Sequence, residues 1–200
     1  MGKNKQISAI ILAAGESKRM QRSKIVLPWG SGTVISHIIS ILKSADIEDI
    51  VVVTGGYREM VEKEVLNVGA RSVYNPYYQN DEMAISLKIG LNSIENIEIT
   101  GIFLVLGDQP MIITEDLRGM IESHKENPGK IVIPSYSMRR GHPWLIPNKY
   151  LKEIAQLNPP DTLRTFIQRN ENEIMYYIVD HPEVMGDIDT PEDYKRLLKE

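Results

Sequence analysis

Between Gly15 and Lys24 the chain sets four cations, Lys18, Arg19, Arg22 and Lys24, in one short stretch directly after the apolar run Ile10-Ile11-Leu12-Ala13-Ala14. Small residues such as Ala13, Ala14, Gly15 and Ser17 let backbone N–H groups come close to an anion, while Arg and Lys neutralise its charge. That combination suits a triphosphate. A solvated basic loop has the same composition, and the cluster alone does not separate the two. Neither GxxxxGK[ST] nor GxGxxG follows the apolar run, so a nucleotide here would be held by a scheme other than the Walker loop or the dinucleotide fingerprint.

Two acidic positions could complement such a loop. In "LVLGDQP" Asp108 follows a buried-looking apolar run, where a carboxylate can take a hard divalent cation such as Mg²⁺ that needs few protein ligands beside substrate phosphates. An Asp in that place also serves as a simple turn former. In "MGDIDTPEDY" Asp187 and Asp189 precede a helix, a routine setting for acids. Each part is weak alone; carboxylates on two loops facing a basic third form a metal–phosphate constellation. Of the histidines, His37 lies on an apolar helical face and reads as structural, and His124 and His181 read as surface positions. His142 sits in "RRGHPWLIP" beside Arg139, Arg140 and Gly141, either a basic binding edge or a polar bend before a strand. No Ser-His-Asp order and no nucleophile elbow is present, which leaves acyl chemistry without support.

The elements that must position these residues follow from periodicity. Apolar, β-branched runs at 7–13 and 102–106 predict strands buried on both faces, with a further strand at 49–54 and shorter ones at 71–75, 131–134, 144–147 and 174–179. Helical spacing marks 33–45, with Thr33 available as its cap, 58–68, 83–94, a segment from Thr114, 149–156 and 162–170. A last helix starts at Pro191 behind Thr190 as its cap. This alternation predicts βαβ units and a mostly parallel sheet with helices on both faces, in which ligands bind beyond the carboxyl ends of the strands. The irregular, Pro-rich stretch 135–160 is expected to elaborate one end of the sheet. No repeat or linker divides residues 1–200, which read as a single α/β domain.

Composition narrows the function further. A net charge of −4 and a pI near 5.7 argue against a nucleic-acid surface and make the basic loop stand out from its background. The absence of cysteine excludes disulfides and thiolate metal sites. No apolar run approaches the roughly 18 to 20 residues of a membrane span, and the short apolar stretch near the N-terminus runs straight into charge, unlike a secretory signal. The expectation is a cytoplasmic protein.

Taken together, the motifs resemble the nucleotidyltransferases related to molybdenum-cofactor biosynthesis, the MobA-like NTP transferases. "LAAGESKRMQRSK" at 12–24 looks like the opening signature LAAGxSxRMGxxK, and "NDEMAISLKIGL" at 80–91 is similar to GMxxSLxxGL. "LGDQP" at 106–110, "RGHP" at 140–143 and "DIDTPEDY" at 187–194 fit in order, so the likeness spans nearly the whole chain. "LAAG" and "RGHP" resemble the CTP-using, cytidylyltransferase branch. One position departs: Gln21 stands where the signature has Gly.

The resemblance implies a three-layer α/β/α sandwich with a mostly parallel sheet, of the Rossmann-like nucleotide-diphospho-sugar transferase type. It implies that Leu12, Ala13, Ala14 and Gly15 line the nucleotide pocket and that Arg19 and Lys24 hold the triphosphate, Lys24 near the α-phosphate. Lys18 and Arg22 would face solvent. Asp108 and Asp189 would hold Mg²⁺. Ser86 and residues 80–83 would lie near base and ribose, and Arg140, Gly141 and His142 toward the acceptor. The implied reaction moves CMP from CTP to the terminal phosphate of molybdopterin, releasing pyrophosphate. A sugar-phosphate or alcohol-phosphate acceptor is one alternative; a non-catalytic nucleotide- or cofactor-binding chaperone is another. A molybdenum hydroxylase would be the recipient, with no nucleic-acid or membrane partner and a monomer or weak dimer as the working form.

Overall fold

The computed structural model describes residues 7–20, 22–80, 83–95 and 98–199. The strands are β1 (Ile7–Ala13), β2 (Pro28–Trp29), β3 (Gly32–Thr33), β4 (Ile50–Thr54), β5 (Arg71–Tyr74), β6 (Gly101–Leu106), β7 (Ile131–Tyr136), β8 (Arg139–Arg140), β9 (Trp144–Pro147) and β10 (Ile174–Ile178). The helices are α1 (Val34–Ser44), α2 (Arg58–Asn67), α3 (Met83–Leu91), α4 (Thr114–Glu126), α5 (Leu151–Ala155), α6 (Leu163–Arg169) and α7 (Pro191–Leu197). β2 and β3 form a small separate hairpin. The other eight strands make one sheet in the order β10-β7-β9-β6-β1-β4-β5, with β8 paired to β7.

β1 is buried on both faces, its apolar run interrupted by Ser8, whose buried hydroxyl donates to Asp49 Oδ2 at 2.7 Å. Ala9, Ile11 and Ala13 enter one core with α1, α2 and α4; Ile10 and Ala14 enter the other with α3, α5 and α6. These two cores make the predicted three layers. After β1 the chain builds outward through β4 and β5, then crosses by α3 to the opposite side of β1, where β6 pairs in parallel from Ile7↔Gly101 to Leu12↔Leu106. Reversing the direction of right-handed crossovers puts α1 and α2 on one face and α3 on the other. It also makes the carboxyl ends of β1 and β6 the switch point, where an open α/β sheet leaves room for a ligand. The expected caps are formed: Thr33 and Ser36 close a capping box on α1, and Thr190 and Asp193 close one on α7.

Two expectations are corrected. The stretch 135–160 does not elaborate an end of the sheet. It delivers β9 into the middle, antiparallel to β6 (Leu104↔Trp144 to Gly101↔Pro147) and to β7 (Val132↔Leu145). Leu145 and Ile146 are fully buried there, and Gly101 permits the close approach, since a Cβ at that position would sit 2.9 Å from the Ile146 carbonyl oxygen. His124 is not a surface residue: it continues the buried stripe Leu117, Met120, Ile121 of α4, is 4% exposed, and puts Nε2 3.3 Å from Thr100 Oγ1. Burial holds its pKa below the ordinary histidine value. His37 packs half-buried against Trp29, as a structural residue would, and half-buried His181 pairs with Asp116 at 2.8 Å. Among the described residues, no helix is long and apolar enough to cross a membrane.

Candidate active site

The loop leaving β1 is pinned from both neighbouring strands. Gly107 N–H donates to the Leu12 carbonyl (3.0 Å) and Gly56 N–H to that of Ala14 (3.3 Å). Gly55 is forced by contact, because a Cβ there would lie 2.1 Å from the Ala14 carbonyl oxygen. Gly15 has a different reason to be small: a Cβ on it would meet nothing within 4 Å, so its absence keeps open space above the strand end. Beyond it, Ser17 adopts a left-handed φ of +50° and its Oγ accepts from the Lys24 N–H at 3.2 Å. Buried Met20 and Ile25 anchor the loop. Held this way, Lys24 points back across the end of β1.

Its ammonium joins the other two loops. Lys24 Nζ lies 2.6 Å from Asp108 Oδ2 and 3.1 Å from Asp189 Oδ1, and Arg19 reaches Asp189 Oδ2 at 2.8 Å. Asp108 leaves β6, and its carbonyl accepts from the Ile188 N–H at 2.9 Å, which ties the 186–190 segment to the same sheet edge. Burial alone would lower the Lys24 pKa, but Asp108 and then Asp189 outweigh it and the value rises. Burial alone would raise that of Asp189, yet Lys24 and Arg19 hold the carboxyl below its usual range. Asp187, with burial and its neighbours Asp189 and Asp108 against it, is pushed up.

A cleft of about 450 Å³ opens above these groups, lined by Leu12, Ala13, Ala14, Gly15, Arg19, Lys24, Ser86, Asp108 and Asp189, all singled out from sequence. Arg140, Gly141 and His142 are not part of this lining. Arg140 instead donates to the Tyr176 hydroxyl and to Glu171, and Gly141 packs so tightly that a Cβ would come within 2.9 Å of the Val184 carbonyl oxygen. His142 stacks on Trp144 with ring centroids 4.4 Å apart. Because Trp144 opposes Leu104, residues 140–143 still lie beyond the carboxyl end of β6, on the same edge as Asp108. Arg22 is exposed, as expected. Gln21, the Lys18 side chain and residues 81–82 of the 80–83 segment lie outside the described residues.

Ser17 and Met83, both named from sequence, line the cleft as well, whereas sequence reasoning missed Glu16, Ile25, Tyr78 and Leu106 in its walls. It missed Asn75 as well, buried behind the wall and donating from Nδ2 to Ser86 Oγ at 2.9 Å. Proximity to the named motifs signalled all but two of these. Asn75 and Tyr78 arrive on the β5–α3 connection, which carries no charge cluster to mark it.

The donor set suits a hard divalent cation. Two carboxylates on different loops already share one positive atom, Lys24 Nζ, so a single small cation could reach both. Among the described residues no three His, Asp or Glu side chains gather into a metal cluster. A two-carboxylate site fits a cation that completes its shell with phosphate oxygens and water.

The sheet order, the switch point and the cation–carboxylate cleft define an α/β nucleotidyltransferase fold of the nucleotide-diphospho-sugar type. Residues 9–174 match the MobA-like NTP transferase domain, and the chain belongs to that family of nucleotidyltransferases. It is 28% identical over 94% of its length to the molybdenum cofactor cytidylyltransferase of Escherichia coli, covering 93% of that protein. The crystal structure of Rv0371c from Mycobacterium tuberculosis superposes with a TM-score of 0.85 at 28% identity, over 98% of each chain. A manganese complex of Rv0371c does so at 0.79 and 27% identity, over 97% of this chain and 98% of that one. A CMP:2-keto-3-deoxy-manno-octonic acid synthetase complexed with CTP shares the fold at TM-score 0.78 and 15% identity, over 97% of each chain.

Proposed function

We propose that this chain, acting as a single nucleotidyltransferase domain, transfers CMP from CTP to the terminal phosphate of a molybdopterin-type acceptor and releases pyrophosphate. The observation that carries the reading is the convergence of Lys24 and Arg19 with Asp108 and Asp189 in the cleft at the end of β1. Full-length similarity to a molybdenum cofactor cytidylyltransferase supports the choice of nucleotide and acceptor.

The triphosphate lies over the open floor at Gly15. Lys24 exchanges its carboxylate partners for oxygens of the α-phosphate, and Arg19 turns from Asp189 to the leaving pyrophosphate, each meeting charge that grows in the transition state. Asp108 and Asp189 would hold a divalent cation, Mg²⁺ or Mn²⁺, which supplies charge neutralisation to the phosphate oxygens. The acceptor phosphate approaches from the edge formed by Arg140, Gly141 and His142. Being already ionised at neutral pH, it needs no general base. A molybdenum hydroxylase would then receive the product.

Incubation with CTP, Mg²⁺ and molybdopterin, followed by mass spectrometry, tests the reading. The expected product is the molybdopterin–CMP dinucleotide. A product formed only with a sugar-phosphate or alcohol-phosphate acceptor would overturn the acceptor assignment, and nucleotide binding without any product would leave the chaperone alternative standing.

A further inference from the structure

The cleft has two chemically distinct sides. Lys24, Asp108 and Asp189 stand on one; Leu12, Tyr78, Met83 and Ser86 form the other, beside the α3 core. With the triphosphate over the cations, the nucleoside falls against that second wall, where Ser86 and Tyr78 carry hydroxyls, that of Tyr78 accepting from Gln79 Nε2 at 3.4 Å.

The direction of the Ser86 hydrogen bond is fixed by its neighbour. Asn75 is 1% exposed, and its Oδ1 accepts from the Tyr77 backbone N–H at 2.8 Å. A backbone N–H can only donate, so the amide orientation is settled and Nδ2 must face Ser86, to whose Oγ it donates at 2.9 Å. Asn75 is the hydrogen-bond partner of the Ser86 hydroxyl among the described residues. A serine hydroxyl has one proton, and an amide NH₂ cannot accept it. Among the described residues none accepts that proton, which leaves it for the cleft that Ser86 lines.

We infer that Asn75 is a positioning residue for nucleotide selection: it locks Ser86 as a hydrogen-bond donor toward the N3 acceptor of the base. This rests on the cytidylyltransferase reading for the identity of that base. Cytosine offers N3 and O2 as acceptors on the edge where guanine offers N1–H and N2–H donors, so a fixed donor favours the pyrimidine. Asn75→Asp reverses the polarity: one carboxylate oxygen still accepts from Tyr77, the other accepts the Ser86 proton, and the hydroxyl then offers the cleft a lone pair.

The test is a double-mutant cycle on nucleotide binding, read by calorimetry with CTP, 3-deaza-CTP (which lacks the N3 acceptor), 2′-deoxy-CTP and GTP. Wild type should bind CTP roughly five- to tenfold more tightly than 3-deaza-CTP, the worth of one hydrogen bond. Asn75→Asp and Ser86→Ala should each collapse that ratio toward one, and in the Ser86→Ala background Asn75→Asp should not change it further. Added negative charge alone would weaken all four nucleotides together and leave the ratios intact, which would overturn the inference. So would a ratio lost with 2′-deoxy-CTP instead of 3-deaza-CTP, since the hydroxyl would then read the ribose. Should Asn75→Asp fail to fold, Ser86→Ala alone decides: an unchanged 3-deaza ratio contradicts the donor role. A wild type that prefers GTP would count against the cytidylyl reading, while the Ser86-dependence of the Asn75 effect would still judge the positioning role on its own.

Discussion

At the scale of single residues, Lys24 holds the account together, because its one ammonium touches both carboxylates that the proposed chemistry assigns to a cation. Lys24→Ala should lower turnover by about 10²- to 10³-fold, the effect of deleting one transition-state donor. The circular dichroism spectrum should remain that of the wild type. Steady-state pyrophosphate release measures the first, and near-normal turnover would remove Lys24 from the mechanism. Residues of this kind were legible in sequence because their side chains are unusual for where they sit: a lysine and an aspartate each follow a buried apolar strand. Asn75 was not legible, since a buried asparagine looks like any turn residue until its amide is seen between Tyr77 and Ser86.

Among the elements, the cleft depends on how closely β4 approaches the end of β1. Gly55 makes that approach possible, so Gly55→Ala must displace the Ala14 carbonyl or the β4 loop. Such overpacking should cost about 1–3 kcal/mol, and nucleotide affinity should fall as well because the floor itself moves. Thermal unfolding and calorimetry on the same variant check both; a destabilised protein with unaltered affinity would show that the floor does not need this geometry. The buried strands and the capped helices were readable from apolar periodicity and from Thr33 and Thr190. β9 was misplaced because four apolar residues in a Pro-rich stretch announce a strand without saying which gap it fills. That gap, between β6 and β7, is a property of the assembled sheet. His124 was misjudged for a simpler reason: the charged residues around it hide its place in the apolar stripe of α4.

For the whole molecule, one consequence concerns pH. Burial drives the His142 pKa from 6.5 down to about 4, so this ring stays neutral in the folded protein where the unfolded chain would take up a proton. Its effect on stability is absent above pH 6.5 and grows as pH falls toward 4, destabilising the fold by roughly 3 kcal/mol at the low end. NMR titration should show the His142 ring still neutral at pH 5.5; a midpoint near 6.5 would contradict its burial against Trp144. On this scale the reading of the family from the ordered motifs and the reading of the fold from alternating strands and helices coincide with what the sheet order displays. The cations and carboxylates that those motifs named meet in one cleft, whereas Arg140, Gly141 and His142 sit on its edge, held by contacts that no linear pattern exposes. The central claim is that this cleft performs cytidylyl transfer to a molybdopterin-type phosphate. Its most direct test is pyrophosphate release measured side by side with CTP and with GTP, each with Mg²⁺ and molybdopterin. The account predicts release with CTP that requires both the cation and molybdopterin, and little with GTP; equal or greater release with GTP, or release with CTP that ignores molybdopterin, would contradict it.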